Sequence, residues 1–376
     1  MSVGLTEEQT LVADSVARFI QDQYEFNERR KHVATEHGFR GDHWSTFAEL
    51  GWLALPFTES DGGLDGSLRD VSLIAEGLGR GLFVGPYMSS VVLAGGLVAS
   101  AGSAEQKSRL LEPLMAGEHH LAFAFAEPQA RYNLNDVATA ATATASGFEL
   151  NGSKSVVMHA PSASYFIVSA RTQGERTDRE GVSLFVVDAA ADGVMQHSYP
   201  TVDDHRASEL QFSNTTAEPL GPLDQATPII EAICDRATVV LCAEAVGCMG
   251  TLYESTLDYI KQREQFGAPI GSFQAIQHRM VDVFMSYEQV RSLAYATAAR
   301  LSTQITESER ARLTSALKFE VAKAGRHVGQ EAIQLHGGMG MTDELPIGHY
   351  FKRLTCINAT LGDRHYHLQR FRQLEG

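Results

Sequence analysis

The chain has 376 residues, 44% hydrophobic and 20% charged, a composition that supports two or three packed structural units and excludes a disordered chain or a peptide-sized binding module. A formal net charge of −15 argues against a surface built to hold nucleic acid or anionic lipid, since both need a basic face. The four cysteines, Cys234, Cys242, Cys248 and Cys356, form no CxxC pair and lie among apolar residues, so they read as reduced core residues and not as a disulfide framework or a metal site. With no basic segment leading into an apolar one at the N-terminus, and nowhere eighteen apolar residues in a row, the expectation is a cytoplasmic protein that does not enter the membrane.

Thr6, followed by Glu7, Glu8 and Gln9, is a helix start signal, and Leu11, Val12, Val16, Phe19 and Ile20 recur behind it at helical spacing. Helical patterns continue at 44–50, 68–79, 87–101 and 104–115, punctuated by Gly62–Gly63 and by Gly79, Gly81 and Gly85, which predicts an N-terminal helical domain over residues 1–119. After His120 the texture changes. The segments VATAATATA, GFELNGSKSVVM, SYFIVSAR and VSLFVVDA are β-branched or alternating, and Asn151–Gly152 carries a hairpin-turn signal. These predict an antiparallel β-domain over 120–222 that closes near Leu220–Gly221–Pro222. Long helical patterns then run over 228–262, 273–301, 308–335 and from Asp363 onward, a C-terminal four-helix bundle spanning 223–376. The predicted fold class is mainly α with a central β-domain.

Four spaced motifs carry a resemblance that runs end to end. FAELGWLALPFTESDGG (Phe47–Gly63), GSAEQKSRLLEPLMAGE (Gly102–Glu118), KQREQFGAPIGSFQAIQHRMVD (Lys261–Asp282) and QLHGGMGMTDELP (Gln334–Pro346) occur in the order and context of the acyl-CoA dehydrogenases, which the chain resembles. The ending GHYFKRLTCINATLGDRHYHLQRF is most similar to small subunits of pimeloyl-CoA-type dehydrogenases. The resemblance implies an FAD-dependent enzyme that introduces an α,β double bond into an acyl-CoA thioester and passes electrons to an electron-transfer flavoprotein. It also implies a homo-oligomer, or a heterotetramer with a homologous dehydrogenase chain, because each FAD site is completed by a neighbouring subunit. Arg263, a permanent planar cation, suits the FAD pyrophosphate; Gln274 and Gln334 can donate and accept bonds, and Gly337 and Gly338 let backbone approach a phosphate. The resemblance also implies that Phe266, in the same motif, lies at the cofactor.

Elsewhere the chain departs from the family pattern. Where the family has TEPxAGSD, residues 126–133 read AEPQARYN, and where it has WITN, the chain has Val156, Val157, Met158 and His159. The expected flavin contacts there fall to the backbone of Phe125, Ala126 and Met158. The reaction needs a carboxylate to remove the α-proton while flavin N5 accepts hydride. Ungapped counting puts Leu361 at the family's usual Glu, which leaves Asp363 in the same turn as a candidate base or, equally, as the N-cap of the last helix. The alternative base is Glu244 on the first bundle helix; the competing reading is that it pairs with a basic group across the bundle. Lys352 and Arg353 stand where the family has Arg–Asp, which removes the usual ion pair from that place. His336, His349, His365 and His367 lack a metal-ligand pattern, so no metal is expected. A second reading of the whole chain is a structural subunit that completes the FAD site of a catalytic partner.

Overall fold

The computed structural model describes residues 4–145 and 147–374; the outermost residues of the two predicted terminal domains, 1–3 and 375–376, lie outside them. Its elements run α1 (Glu7–Gln23), α2 (Phe26–Val33), α3 (Gly41–Glu49), α4 (Leu68–Arg80), a π-helical stretch Tyr87–Gly95, α5 (Gly96–Ala101) and α6 (Ala104–Met115). Seven strands follow: β1 (Leu121–Ala124), β2 (Ala140–Thr144), β3 (Gly147–Met158), β4 (Tyr165–Arg171), β5 (Val182–Asp188), β6 (Val194–Pro200) and β7 (Arg206–Leu220). The last part holds α7 (Thr227–Gln262), a hairpin of β8 (Glu264–Gln265) and β9 (Ala268–Pro269), then α8 (Gln274–Leu301), α9 (Glu307–His336), α10 (Ile347–Ala359) and α11 (Arg364–Gln373). The expected order of helices, strands and helices is therefore present. No helix among the described residues is long and apolar enough to cross a membrane.

The chain divides into two compact units, Met1–Arg30 with Ser67–Phe83 and Thr238–Gly376, and Lys31–Gly66 with Val84–Ala237. In the first, Thr6 caps α1 through a reciprocal bond with Gln9, as its sequence predicts, and Ser67 caps α4 in the same way with Asp70. The backbones of α4 and α7 approach so closely that a Cβ on Gly79 would lie 2.1 Å from Glu244 O, and one on Gly247 would lie 2.0 Å from Glu76 O. Only glycine fits at either position. Helix α9 packs against α8, α10 and α11. Helix α10 is an element that the sequence reading did not separate from the segment around it: it starts behind Pro346 and stops at Thr360.

The second unit is centred on the sheet. Strands pair in the order β1-β4-β2-β3-β7-β5, β5 pairs back onto β4, and β6 adds to β7. The ladder is antiparallel except for β1 with β4 and the single pair Ala140–Arg171 joining β2 to β4, two parallel contacts that the expectation of an antiparallel domain lacked. The core of this sheet is Leu150, Phe166, Val168, Phe185, Leu210 and Phe212 with small residues between them. Asn151–Gly152 is not the hairpin turn. The β2–β3 register runs from Ala140–Asn151 to Thr144–Gly147, so Asn151–Gly152 lies inside β3, where a bulge shifts the register between Leu150 and Gly152. There Gly152 has φ +151°, and a Cβ would meet Thr139 at 2.6 Å, while the Asn151 amide exchanges two bonds with Asn214. Asn-Gly here serves a bulge and a close backbone approach instead of a reversal.

Candidate active site

Strand β1 delivers the chain to Phe125, Ala126 and Glu127. The Phe125 ring stacks on Phe123 at 4.8 Å, and Ala126 O accepts the Ser155 N–H at 2.8 Å, which ties the segment to β3. Glu127 is buried; its Oε1 accepts from Lys154 Nζ at 2.7 Å and from Thr139 N at 3.1 Å, and its Oε2 from Ala138 N and from Gln129 Nε2, both at 2.8 Å. Burial opposes ionisation of Glu127, but the Lys154 charge and these donors outweigh it and hold the carboxyl at about 2. At the far end of β3, Met158 pairs with Ala207. Before it, Val156 is left-handed at φ +51° and donates its N–H to Glu209 Oε1; after it, His159 is left-handed at φ +56°. A β-branched residue in that region is strained. The stretch standing in place of WITN is thus a kinked backbone with no side-chain hydroxyl; His159 is its one polar side chain, and its Nε2 lies 3.0 Å from His205 Nδ1.

The remaining cofactor candidates belong to the helical unit. Phe266 and Gly267, with φ +55° and +79°, make the two-residue turn of the β8–β9 hairpin, the geometry that residues of positive φ give a tight hairpin. Arg263 enters this hairpin exposed, its N–H on Tyr259 O and its carbonyl accepting from Ile270 N, and Phe266 at the tip is 94% exposed. Gln274 opens α8 and Gln334 lies in the last turn of α9, both exposed. Gly337 ends α9 at φ +63°, and a Cβ on Gly337 or Gly338 would meet no atom within 4 Å. One small apolar cluster of Ile260, Met280 and Leu335 gathers these pieces, and Tyr259 stacks on His336 at 4.3 Å while donating to its carbonyl. The two signatures, which begin at Lys261 and Gln334, are therefore brought together. An exposed guanidinium, two exposed amides and two glycines with open space around them fit an anionic dinucleotide.

The two candidate bases are placed very differently. Glu244 is buried on α7 and takes a bidentate pair from Arg353, Nε to Oε1 at 2.6 Å and Nη2 to Oε2 at 2.8 Å. Arg353 on α10 thus has an acidic partner after all, supplied by α7. Asp363 is the N-cap of α11, with Oδ1 accepting from Tyr366 N at 2.8 Å. The turn that carries it has Leu361 at φ +56° and Gly362 at φ +109°. Two buried basic groups grip this turn. Lys318 Nζ donates to Ile357 O at 2.6 Å and Thr360 O at 2.5 Å, and the His367 ring nitrogens lie 3.0 Å from Leu361 O and 3.3 Å from Ser315 Oγ. Burial pulls the Lys318 ammonium down to about 8 and the His367 imidazole down to about 3. Sequence reading did not single out Lys318, Lys154 or Glu127. Their surroundings in sequence gave no signal: Lys318 has Glu320 and Lys323 nearby on α9, Lys154 lies between Ser153 and Ser155, and Glu127 follows β1 in a polar loop, so the partner of none of them could be read along the chain. Among the described residues no group of three or more His, Cys, Asp or Glu could hold a metal ion, and Cys234, Cys242 and Cys248 are buried and in no disulfide.

Comparison with known proteins identifies the family of the chain. The family descriptions for the acyl-CoA dehydrogenase N-terminal, middle and C-terminal domains match residues 6–118, 122–215 and 229–372. A 3-(aryl)acrylate reductase of Clostridium sporogenes is 27% identical over 82% of this chain and 83% of its own. Among solved structures, a variant of the Tcur3481–Tcur3483 steroid ACAD superposes with a TM-score of 0.88 at 28% identity, covering 98% of both chains. The ChsE4–ChsE5 complex from Mycobacterium tuberculosis superposes at 0.89 with 24% identity over 99% of this chain and 98% of that one. The chain belongs to the acyl-CoA dehydrogenase family and is a flavin-dependent oxidoreductase with FAD as its cofactor.

Proposed function

We propose that the protein oxidises an acyl-CoA thioester at its α,β bond, with Asp363 as the base that removes the α-proton. FAD, when bound, supplies the hydride acceptor at N5. Arg263 neutralises the pyrophosphate, Gln274 and Gln334 hold the nucleotide, and the open backbone of Gly337 and Gly338 admits a phosphate, with Phe266 covering it. Main-chain groups of Phe125, Ala126 and Met158 orient the ring. The observation that carries Asp363 over Glu244 is that both oxygens of Glu244 are engaged by Arg353, whereas the capping bond of Asp363 uses Oδ1 alone. Electrons leave to an electron-transfer flavoprotein, the working compartment is the cytoplasm, and the functional domains are 1–119, 120–222 and 223–376.

A second reading is favoured by one residue. Leu361 occupies the family's usual base position, and its apolar side chain can take no proton. In that reading the chain completes the FAD site of a homologous partner; the names of the steroid ACAD and of ChsE4–ChsE5 each join two chains. Purification settles the choice. The protein made alone should be yellow and bleach anaerobically with a member of a panel of acyl-CoAs; a yellow preparation that no acyl-CoA bleaches until a homologous chain from the same source is added would favour the second reading.

A further inference from the structure

Three buried charged side chains of the β-containing unit are directed at the backbone of one loop, residues 125–139. Lys154, whose side chain is wholly buried, reaches Glu127 at 2.7 Å, Ser169 Oγ at 3.2 Å and Phe125 O at 3.4 Å. Glu127 in turn holds the amides of Ala138 and Thr139, and so joins the start of the loop to its end. Arg171, at the end of β4, donates to Val137 O at 3.3 Å and Asn135 O at 2.7 Å. It also binds Gln173 O, Arg176 O, Asp178 O and Glu180 O at 2.9–3.3 Å, so its guanidinium is ringed by carbonyls.

A buried ion pair is a poor source of stability against well-packed apolar residues of the same volume, because desolvation cancels most of its attraction; what it supplies is direction. Direction is what this loop needs. Residues 126–133 have no serine or threonine hydroxyl to brace the turn locally, and the residues after Lys154 bend through the strained Val156. We propose that Lys154, Glu127 and Arg171 are positioning residues that lock the 125–139 backbone so that the amides of Phe125 and Ala126 stand preorganised for the flavin. They do not touch the cofactor themselves. The inference rests on the reading that this loop meets the flavin ring.

The test is FAD affinity of the purified full-length protein, measured by flavin fluorescence on dilution and titration, beside the melting temperature of each variant. Glu127→Gln and Lys154→Met should bind FAD about tenfold more weakly or worse, the loss expected from one charge-assisted bond. The decisive variant is Lys154→Met/Glu127→Gln, which removes both charges while leaving a side-chain oxygen for the Ala138 and Thr139 amides, and should recover part of the melting temperature that the single Lys154 change loses. If FAD affinity stays low in this double variant, the pair positions the loop; if affinity recovers along with stability, the pair is merely structural and the inference fails. Ala126→Pro, which removes one proposed amide donor, separates the premise. Loss of FAD there with a normal double variant overturns the positioning role alone, while full FAD affinity in Ala126→Pro overturns the flavin reading and the inference with it.

Discussion

Glu244 and Arg353, 109 residues apart on α7 and α10, meet as a bidentate ion pair with less than a tenth of either residue exposed. Each satisfies a group that the other alone would leave charged and buried. Arg353→Met should therefore destabilise the fold by about 3–5 kcal/mol, because it strands the Glu244 carboxylate, and a chemical denaturation midpoint would show it. Arg353→Met/Glu244→Leu should recover much of that loss. A single variant as stable as the parent would show that the pair is not closed in solution.

Cofactor capture tests the hairpin. Arg263 is exposed and its side chain takes no part in the cluster of Ile260, Met280 and Leu335, so Arg263→Ala should leave the helical content and melting of the FAD-free protein unchanged while lowering FAD content. Absorbance of the purified protein, as flavin per chain, is the measurement. Full occupancy would remove Arg263 from the pyrophosphate site.

For the proton acceptor, Asp363→Asn keeps the N-cap bond to Tyr366 but removes basicity, so the variant should fold, hold FAD and fail to bleach with an acyl-CoA that bleaches the parent. Asp363→Ala should add about 1 kcal/mol of instability from the lost cap. Near-normal bleaching in Asp363→Asn would move the base elsewhere. Glu244→Gln is the companion, and its expected signature is lost stability with bleaching retained.

Acid should loosen the β-containing unit before it protonates the carboxylates. Burial pulls His43 and His120 each down to about 4, the neighbouring His32 adding to the effect at His43 and a bond to Ser162 O opposing it at His120. Unfolded histidine takes up its proton near 6.5, so between pH 6.5 and 4 the unfolded chain binds more protons and stability falls as pH falls. Each imidazole contributes a slope of about 1.4 kcal/mol per pH unit over that window. The Glu127–Lys154 pair is lost later, from pH 4.5 down towards 2. Urea midpoints at pH 7.5, 6.0 and 5.0 check the order; a flat response above pH 5, or a parallel loss in His43→Phe/His120→Phe, would contradict it.

Assembly is the last test. With Phe266, Met341 and Val281 exposed on the helical unit and the FAD site read as shared between subunits, the active species should be a dimer or larger. Light scattering at assay concentration decides this: an active monomer is incompatible with a shared site.

Local signals were sufficient for much of this protein. The capping of α1 by Thr6, the long helices α7, α8 and α9, and the switch to strands after His120 all follow from spacing and side-chain shape, which act within a few residues and so can be read along the chain. The motifs around Arg263 and Gln334 were legible for the same reason. What a buried charge meets is a different matter. Glu244 was open to either role until Arg353 came to it from another helix, Lys154 showed nothing of its carboxylate twenty-seven residues earlier, and Asn151–Gly152, a turn by its local chemistry, became a bulge because Thr139 and Asn214 pack against it. Propensity is set by neighbours in sequence, but the partner of a desolvated charge and the space beside a glycine are set by neighbours in space. Those are fixed only when the strands and helices have packed.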